Sequence, residues 1–589
     1  MDNQRNLILA VVLSAVLLFG WDFAMRTFYP EPADAPANMA SREDAPMARA
    51  DGSVGAMDEG QGAQAVTLDD ALGSAERIPI AAPEITGSIN PVGARVDDID
   101  LTQHRETVEQ DSGPIRLFAP AGTPGQHYAA FRWNGDGIST PGPDTVWQVQ
   151  QGEQLTRESP VILTWDNGEG QVFATRFTID EHYMLTVTQA VSNTGDGTIA
   201  LRPFATVTRT SANASPSTFN VHSGPIAANA DGVDFGWDYD EVVEEGPVNY
   251  GEGTDWVGFT DIYWLSALIG EEGEAVSGTI RSLGGDIYRA ELLYAPVNIP
   301  AGETVSRTTR LFAGAKESAV LSEYEAQGVA RFGNAIDWGW FAWIAWPMWQ
   351  VLIFLFDLFG NFGLAIIGLT VIIRGILFPV AQKQFKSMAQ MRAVQPKMKA
   401  LQERYKDDRA ELQQQMAKLY KEEKVNPLAG CLPIFIQIPI FFALYKVLLL
   451  AIEMRHEPFY GWLRDLSAPD PATILNLFGL LDFTPPGFLG IGVLAVLLGF
   501  TMWLQFKLNP AALDPMQQKI FMFMPWVLMF VMAPFAAGLL LYWISNNVLT
   551  LAQQKYLYSR NPELKAQMEK EREAKEREAA RKDAEASKG

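Results

Sequence analysis

The sequence predicts a polytopic α-helical membrane protein with six transmembrane helices and a large antiparallel β-sandwich domain outside the cytoplasm. Three observations support this prediction. Long apolar stretches lie at the start of the chain and again after residue 338. The region between them alternates apolar and polar residues, as half-buried strands do. Charge is also uneven: residues 28–345 contain 46 acidic and 17 basic side chains, whereas residues 374–430 contain 12 basic and 6 acidic ones.

The first apolar stretch, Leu7–Met25, is long enough to cross a membrane, which needs about 20 mostly apolar residues. We expect a retained transmembrane anchor over residues 1–27, because the apolar run is long for a signal peptide and no small-residue cleavage motif follows directly. A cleaved signal peptide is the alternative. Residues 28–66 are rich in Pro, Ala, Gly and acidic side chains and lack apolar periodicity, so they predict a disordered linker.

Residues 67–330 predict the β-sandwich domain. Within them, residues 161–179 place a turn cluster between two alternating runs, which is a hairpin pattern. A helix is expected only near the end, at residues 316–327. The carboxylates are abundant but unclustered, so we interpret them as a solvated surface and not as a catalytic pair. The most aromatic stretch, residues 255–269, is interpreted as core packing, with a binding cleft as the alternative.

The stretch from Trp338 to Val380 is twice the length of one crossing. Its first part carries five tryptophans, and tryptophan prefers the membrane–water interface. The sequence therefore predicts an interfacial helix over residues 331–349 and a crossing from Gln350 to Val380. Further crossings are expected at Cys431–Ala451 and Phe488–Phe506.

The last uncharged stretch, residues 520–554, would be roughly 50 Å long as one helix. That length exceeds the hydrocarbon core, which is about 30 Å thick. An Ala/Pro/Gly segment at Ala533–Gly538 divides the stretch, so two helices are expected, at residues 520–534 and 537–554. One tilted helix, with five crossings in all, is the alternative.

Residues 383–425 have helical periodicity interrupted at residues 406–409, which predicts a charged antiparallel helical hairpin. Basic loops face the cytoplasm, so this hairpin is expected inside and the acid-rich domain outside. Both termini are then expected in the cytoplasm. The tail, residues 555–589, is charged and has no apolar stripe, so a stable fold of its own is not expected there.

One charged side chain, Arg374, lies inside the apolar stretch 358–382. No carboxylate of the other apolar stretches is expected near its depth, so Arg374 either snorkels to the inner surface or faces a water-filled groove. A groove open toward the cytoplasm is favoured, because polar side chains of the other stretches share that depth. They are Thr370, Gln437, Thr501, Gln505, Ser545, Asn546 and Asn547.

Met522, Met524 and Met529 lie in a stretch without such polar groups. Flexible methionines suit an apolar surface that accepts many shapes, so they predict an apolar slide, with ordinary lipid-facing packing as the alternative. A polar groove beside an apolar slide would let a polar segment pass partway across the membrane while its apolar neighbour moves into lipid.

Neither a cofactor nor a metal is expected. The single cysteine, Cys431, excludes an intrachain disulfide, and the five histidines do not have zinc-ligand spacing. There is no Gly-rich phosphate-binding motif and no sign of specific nucleic-acid recognition. An intramembrane protease would need paired Asp, H-E-x-x-H or G-x-S-x-G motifs, and a transporter would need polar residues along whole helices. The sequence has neither pattern, so we do not expect an enzyme or a solute transporter.

Several long motifs of residues 330–560 resemble the YidC/Oxa family of membrane protein insertases, in the form with a large periplasmic domain found in Gram-negative bacteria. The motifs are TVIIRGILFPVAQKQFKSMAQMRAVQPKMKALQERYKDD, YKEEKVNPLAGCLPIFIQIPIFFALYKVL, FYGWLRDLSAPDP, DPMQQKIFMFMP and AGLLLYWISNNVLTLAQQ. The order of anchor, β-domain and helical core is similar over nearly all the rest of the chain.

The resemblance implies a five-helix insertase core over residues 350–554, a periplasmic β-supersandwich and a place in the bacterial inner membrane. It implies an insertase and chaperone that works alone or with the Sec translocon. The expected partners are nascent membrane proteins, the lipid bilayer, the Sec translocon and the ribosome, the last through residues 383–425 and the tail.

The resemblance also implies a substrate-contact groove around Arg374 that includes Thr370, Tyr542 and Trp543. The family often has tyrosine where Trp543 stands. Residues 476–490 look like an added outer segment in comparison with shorter relatives.

Overall fold

The protein is described by a computed structural model, which covers residues 66–560 apart from residues 110, 216–220, 406–407, 424–431, 479, 482–489 and 509–514. The predicted anchor over residues 1–27, the linker up to residue 65, the tail beyond residue 560 and part of the added outer segment lie outside the described residues.

All strands of the described residues lie in residues 67–330, which we call the β-domain. They are β1 (Ile78–Ala81), β2 (Ile85–Asn90), β3 (Arg95–Arg105), β4 (Pro114–Phe118), β5 (His127–Asn134), β6 (Gln148–Gln151), β7 (Val161–Asp166), β8 (Gln171–Ile179), β9 (Met184–Asn193), β10 (Ile199–Thr210), β11 (Gly224–Asn229), β12 (Gly232–Asp234), β13 (Val248–Glu252), β14 (Thr254–Thr260), β15 (Trp264–Ile269), β16 (Val276–Gly284), β17 (Ile287–Tyr294), β18 (Val297–Ile299) and β19 (Thr304–Ala315).

These strands form two antiparallel sheets with a shared apolar core, which confirms the predicted β-sandwich. One sheet has the order β1-β2-β3-β5-β10-β17-β16-β13, with β4 beside β3 and β18 beside β10, and the other has the order β12-β11-β14-β15-β19-β9-β8-β7-β6. Along β8 the buried positions alternate with more exposed ones, as a sheet with one face in the core requires. Phe131 of β5 meets Phe177 of β8 at 6.4 Å between ring centroids, which joins the two sheets.

The hairpin predicted over residues 161–179 is confirmed. Strands β7 and β8 pair in antiparallel register from Val161 opposite Phe177 to Asp166 opposite Val172. The turn between them contains Gly168 and Gly170, both at positive φ, a conformation that glycine adopts without steric cost.

The helices are α1 (Leu68–Gly73), α2 (Tyr239–Glu245), α3 (Ser318–Ala326), α4 (Ala342–Phe359), α5 (Phe362–Ile376), α6 (Phe378–Arg404), α7 (Arg409–Glu422), α8 (Leu432–Leu450), α9 (Val493–Leu508), α10 (Pro515–Met532) and α11 (Ala537–Arg560), with short 3-10 turns at Phe332–Ala335, Gly339–Phe341 and Ile452–Met454. Helix α3 is the one expected near residues 316–327, but the expectation of a helix only there is wrong, because the short helices α1 and α2 also lie in the β-domain. Helices α6 and α7 form the two arms of the expected hairpin, and the break between α10 and α11 lies at the predicted Ala533–Gly538 segment.

The structure corrects the division expected between residues 331–349 and 350–380. Helix α4 begins at Ala342 and continues without a break through residue 350, and the chain breaks at Gly360 instead. Gly360 has a φ of 63°, a left-handed conformation that ends helices, and the side chain of Asn361 accepts a hydrogen bond from the backbone N–H of Leu364 to start α5. Residues 350–380 are therefore not one continuous helix.

By length and apolar composition, one described helical stretch, Gly339–Phe359, could cross a membrane unaided. Phe362–Ile376 and Phe378–Phe385 meet the same requirement only as a pair, which is bent by 59°. The other apolar helices of the described residues are shorter, at Phe435–Leu450, Val493–Leu508 and Met522–Met532. The six crossings expected from the sequence therefore stay a prediction.

Polar contacts connect the end of α8 to the β-domain and to the segment that follows the β-domain. Glu453, just after α8, accepts hydrogen bonds from the backbone N–H of Ser318 at 3.2 Å and from its Oγ at 3.4 Å. Trp349 Nε1 of α4 donates to the same Oγ at 2.9 Å. Lys446 Nζ of α8 forms an ion pair with Asp337 Oδ2 at 2.7 Å. These contacts join the first turn of α3 to α4 and to the end of α8. We call this contact region the junction.

The Glu453 carboxyl makes this junction sensitive to pH. Burial, with Glu317 adding to it, raises the pKa of Glu453 to about 7 from the ordinary 4.5. A raised carboxyl pKa means that the folded protein holds a proton which the unfolded chain has lost. The contribution of Glu453 to stability is therefore fully present below about pH 4.5 and is lost as the pH rises through about 7.

Replacing Glu453 by glutamine should remove this pH dependence, because the amide oxygen still accepts from Ser318 but cannot ionise. We expect the variant to match the wild type in acid and to unfold at a higher temperature than the wild type above about pH 7. Thermal unfolding of both proteins in the same detergent over this pH range measures the difference. A temperature difference that stays constant with pH would contradict the assignment.

Candidate functional site

Arg374 lies in the last turn of α5, and its partner is an amide of α11. Arg374 Nε donates to Asn546 Oδ1 at 2.7 Å, and an Nη of Arg374 lies 3.5 Å from the backbone oxygen of Asn546. Thr550, one turn further along α11, donates from Oγ1 to the same backbone oxygen at 2.6 Å. Asn546 and Thr550 are both buried, so the guanidinium is oriented by a fixed acceptor.

A neutral acceptor leaves the charge of Arg374 uncompensated. Among the described residues, no carboxylate makes an ion pair with it, and the hydrogen bonds from its guanidinium end on Asn546. Moving a charge to the centre of a membrane helix costs about 2.5–3.5 kcal/mol on insertion scales. A positive side chain kept in place without a counter-ion is suited to attract a negative group that enters from outside the protein.

A second polar contact joins α8 to α11. Gln437 Nε2 donates to the Tyr542 hydroxyl at 2.7 Å, and Tyr542 is 1% exposed. The next residue, Trp543, lies with its ring centroid 5.1 Å from that of Phe441. Gln437 is thus paired within the protein, and Trp543 packs against an aromatic side chain of α8.

A third contact joins α9 to α11. Asn547 Nδ2 donates to Thr501 Oγ1 at 3.1 Å, and that hydroxyl donates to the backbone oxygen of Leu498 at 3.0 Å. Gln505 lies one turn beyond Thr501 and is half-buried. The structure therefore brings together most of the predicted polar residues in three pairs centred on α11. We call these six residues the polar cluster: Arg374, Asn546, Gln437, Tyr542, Thr501 and Asn547.

Thr370 does not offer its hydroxyl to a groove. It is 1% exposed, and Oγ1 donates to the backbone oxygen of Ile366, one turn back on α5, at 2.7 Å. Such a bond from threonine to its own helix is common in apolar surroundings, because it satisfies the hydroxyl locally. The predicted direct contact by Thr370 is not supported by this geometry.

The predicted apolar slide is smaller than expected. Met522 is exposed and Met524 is half-buried on α10, but Met529 is buried. Met529 packs against Gly499 of α9, where the absence of a glycine side chain lets the two helices approach closely. The exposed apolar surface of this helix instead continues from Met522 through Phe523 and Trp526.

Within the described part of the β-domain, one group has metal-ligand chemistry: Glu181, His182 and Glu323, whose ligand atoms lie within 4.8 Å of one another. Ion pairs account for this group: His182 lies 3.1 Å from Glu84 and 3.6 Å from Glu323, and Glu181 lies 3.4 Å from Arg157. Although burial lowers it, the hydrogen bond and charge of Glu84 raise the pKa of His182 overall. The neighbouring Arg157 and His182 therefore account for the proximity of these carboxylates.

Comparisons with known proteins cover both parts of the chain. A family model described as YidC periplasmic domain matches residues 77–351, and one described as 60Kd inner membrane protein matches residues 354–565. The membrane protein insertase YidC of Zymomonas mobilis subsp. mobilis is 42% identical over 95% of this chain and 96% of its own length. That of Roseobacter denitrificans is 43% identical over 94% of this chain and 95% of its own length.

Among solved structures, an active YidC insertase with its first transmembrane domain resolved is 18% identical, with a TM-score of 0.36 over 81% of this chain and 92% of that structure. A galactose mutarotase related enzyme from Lactobacillus acidophilus covers 40% of this chain, with 11% identity and a TM-score of 0.29.

Proposed function

Because the chain belongs to the YidC family of membrane protein insertases, which is not a family of enzymes, we propose that it inserts newly made proteins into the membrane through the polar cluster. The observation that supports this proposal most directly is the hydrogen bond of Arg374 to a neutral partner, Asn546. It keeps a positive charge oriented and uncompensated among apolar helices.

In the proposed mechanism, the polar cluster receives the short hydrophilic end of a substrate from the cytoplasm. The half-buried side chains of Gln437, Thr501 and Gln505 give that end hydrogen-bonding partners in place of water, and Gln437 and Thr501 exchange their contacts within the protein for contacts with the substrate. Arg374 attracts acidic residues in it. The substrate's apolar segment then leaves for the lipid along the surface that includes Met522, where flexible side chains fit varied shapes.

The energy for insertion comes from the substrate itself. The sequence has no Gly-rich phosphate-binding motif. Burial of an apolar segment in lipid is favourable in proportion to the apolar area removed from water. The membrane potential adds to this where the translocated charge permits, at about 2.3 kcal/mol per charge for 100 mV.

We further propose a topology of six crossings in the bacterial inner membrane, with an N-terminal anchor at residues 1–27 and both termini in the cytoplasm. The linker 28–66 and the β-domain lie in the periplasm, and the hairpin 383–425 lies in the cytoplasm. The support is the charge contrast between residues 28–345 and residues 374–430. The break at Gly360 separates α4 from α5, so the crossing beside the polar cluster is proposed to be α5 continued by the start of α6, with α4 as the interfacial helix at the outer surface.

The Sec translocon and the ribosome are proposed partners, the ribosome through residues 383–425 and the tail. Two basic side chains of the hairpin already have acidic neighbours, since Lys397 pairs with Glu423 and Lys418 lies 4.0 Å from Glu422. A ribosome contact at these lysines would have to compete with exposed ion pairs, which contribute about 0–1 kcal/mol each.

Depletion of the protein from cells tests the proposed function. Small newly made membrane proteins should then keep their translocated ends inside, so that protease added to spheroplasts no longer cleaves these ends, and re-expression should restore cleavage. A secreted protein without transmembrane helices serves as the control for general export. Unchanged cleavage of the small proteins after depletion would contradict the proposed function.

A further inference from the structure

The loop before α9 exposes a run of large apolar side chains outside any helix or strand. We define the apolar loop as residues 474–478 and 480–481. Leu480 is 83% exposed. The exposed apolar side chains of this loop are Ile474, Leu475, Leu477, Phe478, Leu480 and Leu481. A soluble surface rarely presents so many neighbouring apolar side chains, and such patches mark interaction sites.

Several backbone N–H groups of the apolar loop donate hydrogen bonds within the loop and its base. The backbone N–H of Phe478 donates to the backbone oxygen of Thr473 at 2.8 Å, and that of Leu481 donates to the backbone oxygen of Asn476 at 3.0 Å. The Asn476 side chain donates to the backbone oxygen of Pro471 at 2.9 Å. Thr473 and Asn476, the polar side chains of this turn, are buried beneath it. The loop thus turns apolar side chains outward and polar groups inward.

Backbone conformation contributes to this arrangement. Leu477 has a φ of 51° and Phe478 a φ of 61°, a left-handed conformation that residues with a side chain seldom adopt. Strain of this kind persists where the surrounding structure fixes it, and it clusters at functional positions. Here the strained pair directs two exposed apolar side chains away from the protein.

The base of the apolar loop is fixed at the first turn of α9. The backbone N–H of Val493, where α9 begins, donates to the backbone oxygen of Ala472 at 3.0 Å. The backbone N–H of Ile474 donates to the backbone oxygen of Ile491 at 3.1 Å. Trp462, which is also exposed, donates from Nε1 to Asp470 at 2.9 Å. An exposed tryptophan beside the end of an apolar helix is typical of the membrane–water interface.

We propose that the apolar loop inserts into the outer leaflet of the lipid bilayer beside α9. This inference rests on the proposed topology, which places the start of α9 at the outer surface. Lipid is the occupant that the observations favour, because the loop is anchored at the end of an apolar helix near the exposed Trp462, and because hydrogen bonds within the loop lower the cost of moving its backbone N–H groups out of water. A protein partner would be expected to use some of those polar groups.

The test uses the full chain with Cys431 replaced by serine, reconstituted in vesicles of phosphatidylethanolamine and phosphatidylglycerol. A polarity-sensitive fluorophore is attached to Leu480→Cys and, as the matched control, to Val243→Cys on the exposed helix α2 of the β-domain. We expect the label at 480 to be blue-shifted, quenched by lipids with a nitroxide near the headgroup and protected from iodide. The label at 243 should show the reverse.

The outcomes separate this inference from the topology on which it rests. In cells, an impermeant maleimide should label Val243→Cys directly and Ala410→Cys only after the inner membrane is opened. Failure of that pattern overturns the topology, and the loop proposal with it. If that pattern holds, iodide quenching at 480 overturns lipid insertion alone. Protection from both iodide and nitroxide lipids also overturns it, and points to a covering protein segment.

Discussion

Replacing Arg374 by alanine is expected to reduce insertion most strongly for substrates whose translocated ends are acidic. The loss should reach about tenfold or more, because a hydrogen bond to a charged group contributes roughly 1.5–3 kcal/mol. Neutralising the acidic residues of the substrate should then relieve most of the defect. Insertion rates of the two proteins, each with an acidic and a neutralised version of one substrate, measure this interaction.

Arg374→Lys is the matched control, since lysine keeps the positive charge but lacks the planar guanidinium that reaches Asn546. We expect it to retain part of the activity on acidic substrates. If Arg374 only snorkels to the membrane surface, alanine should leave insertion nearly intact. Equal losses for acidic and neutralised substrates would refute charge pairing, although Arg374 could still hydrate the groove.

The architecture of the β-domain was predictable in kind but not in connectivity. Alternation with period two identifies a half-buried strand from a few neighbouring residues, so the β7–β8 hairpin was found correctly. Which strands meet across the sheet depends on contacts far apart in the chain. The pairing of β19 with β9, which sets Thr304 opposite Ser192, has no local signal.

The division of the apolar region after residue 338 was predicted at the wrong place. Tryptophan content suggested a boundary near residue 350, whereas the helix ends at Gly360. Composition changes gradually along an apolar region, but a helix ends where the backbone turns. The local signal for this boundary is the adjacent pair Gly360 and Asn361. The glycine ends one helix, and the asparagine is the N-cap of the next.

The polar cluster was predicted as a set of residues but not as a set of pairs. The sequence places no carboxylate at the depth of Arg374, and the structure pairs this arginine with an amide instead. Depth along each helix could be estimated from the sequence, and this brought Arg374 and Asn546 to the same level. The rotation of each helix about its own axis could not be estimated from the sequence, so the buried positions of Thr370 and Met529 were not predicted.

Replacing Asn546 by aspartate is therefore expected to impair insertion of acidic substrates nearly as much as Arg374→Ala. A carboxylate at the position of Oδ1, 2.7 Å from Arg374 Nε, would form a charge-assisted hydrogen bond and cancel the positive charge that the substrate requires. Asn546→Ser is the control, because it removes the amide without adding a charge and should cause a smaller loss than aspartate, since the positive charge of Arg374 stays uncompensated. Insertion rates of the acidic and neutralised substrates measure both effects.

The double variant Arg374→Ala, Asn546→Asp decides whether the two residues act as one unit. If aspartate acts only by neutralising the arginine, it should cause little further loss once the arginine is absent, so the two single effects should not add. Thermal unfolding of Asn546→Asp should remain close to that of the wild type, since the new ion pair satisfies both groups. A strong loss in Asn546→Asp that is equal for acidic and neutralised substrates, with a lowered unfolding temperature, would instead assign Asn546 to helix packing.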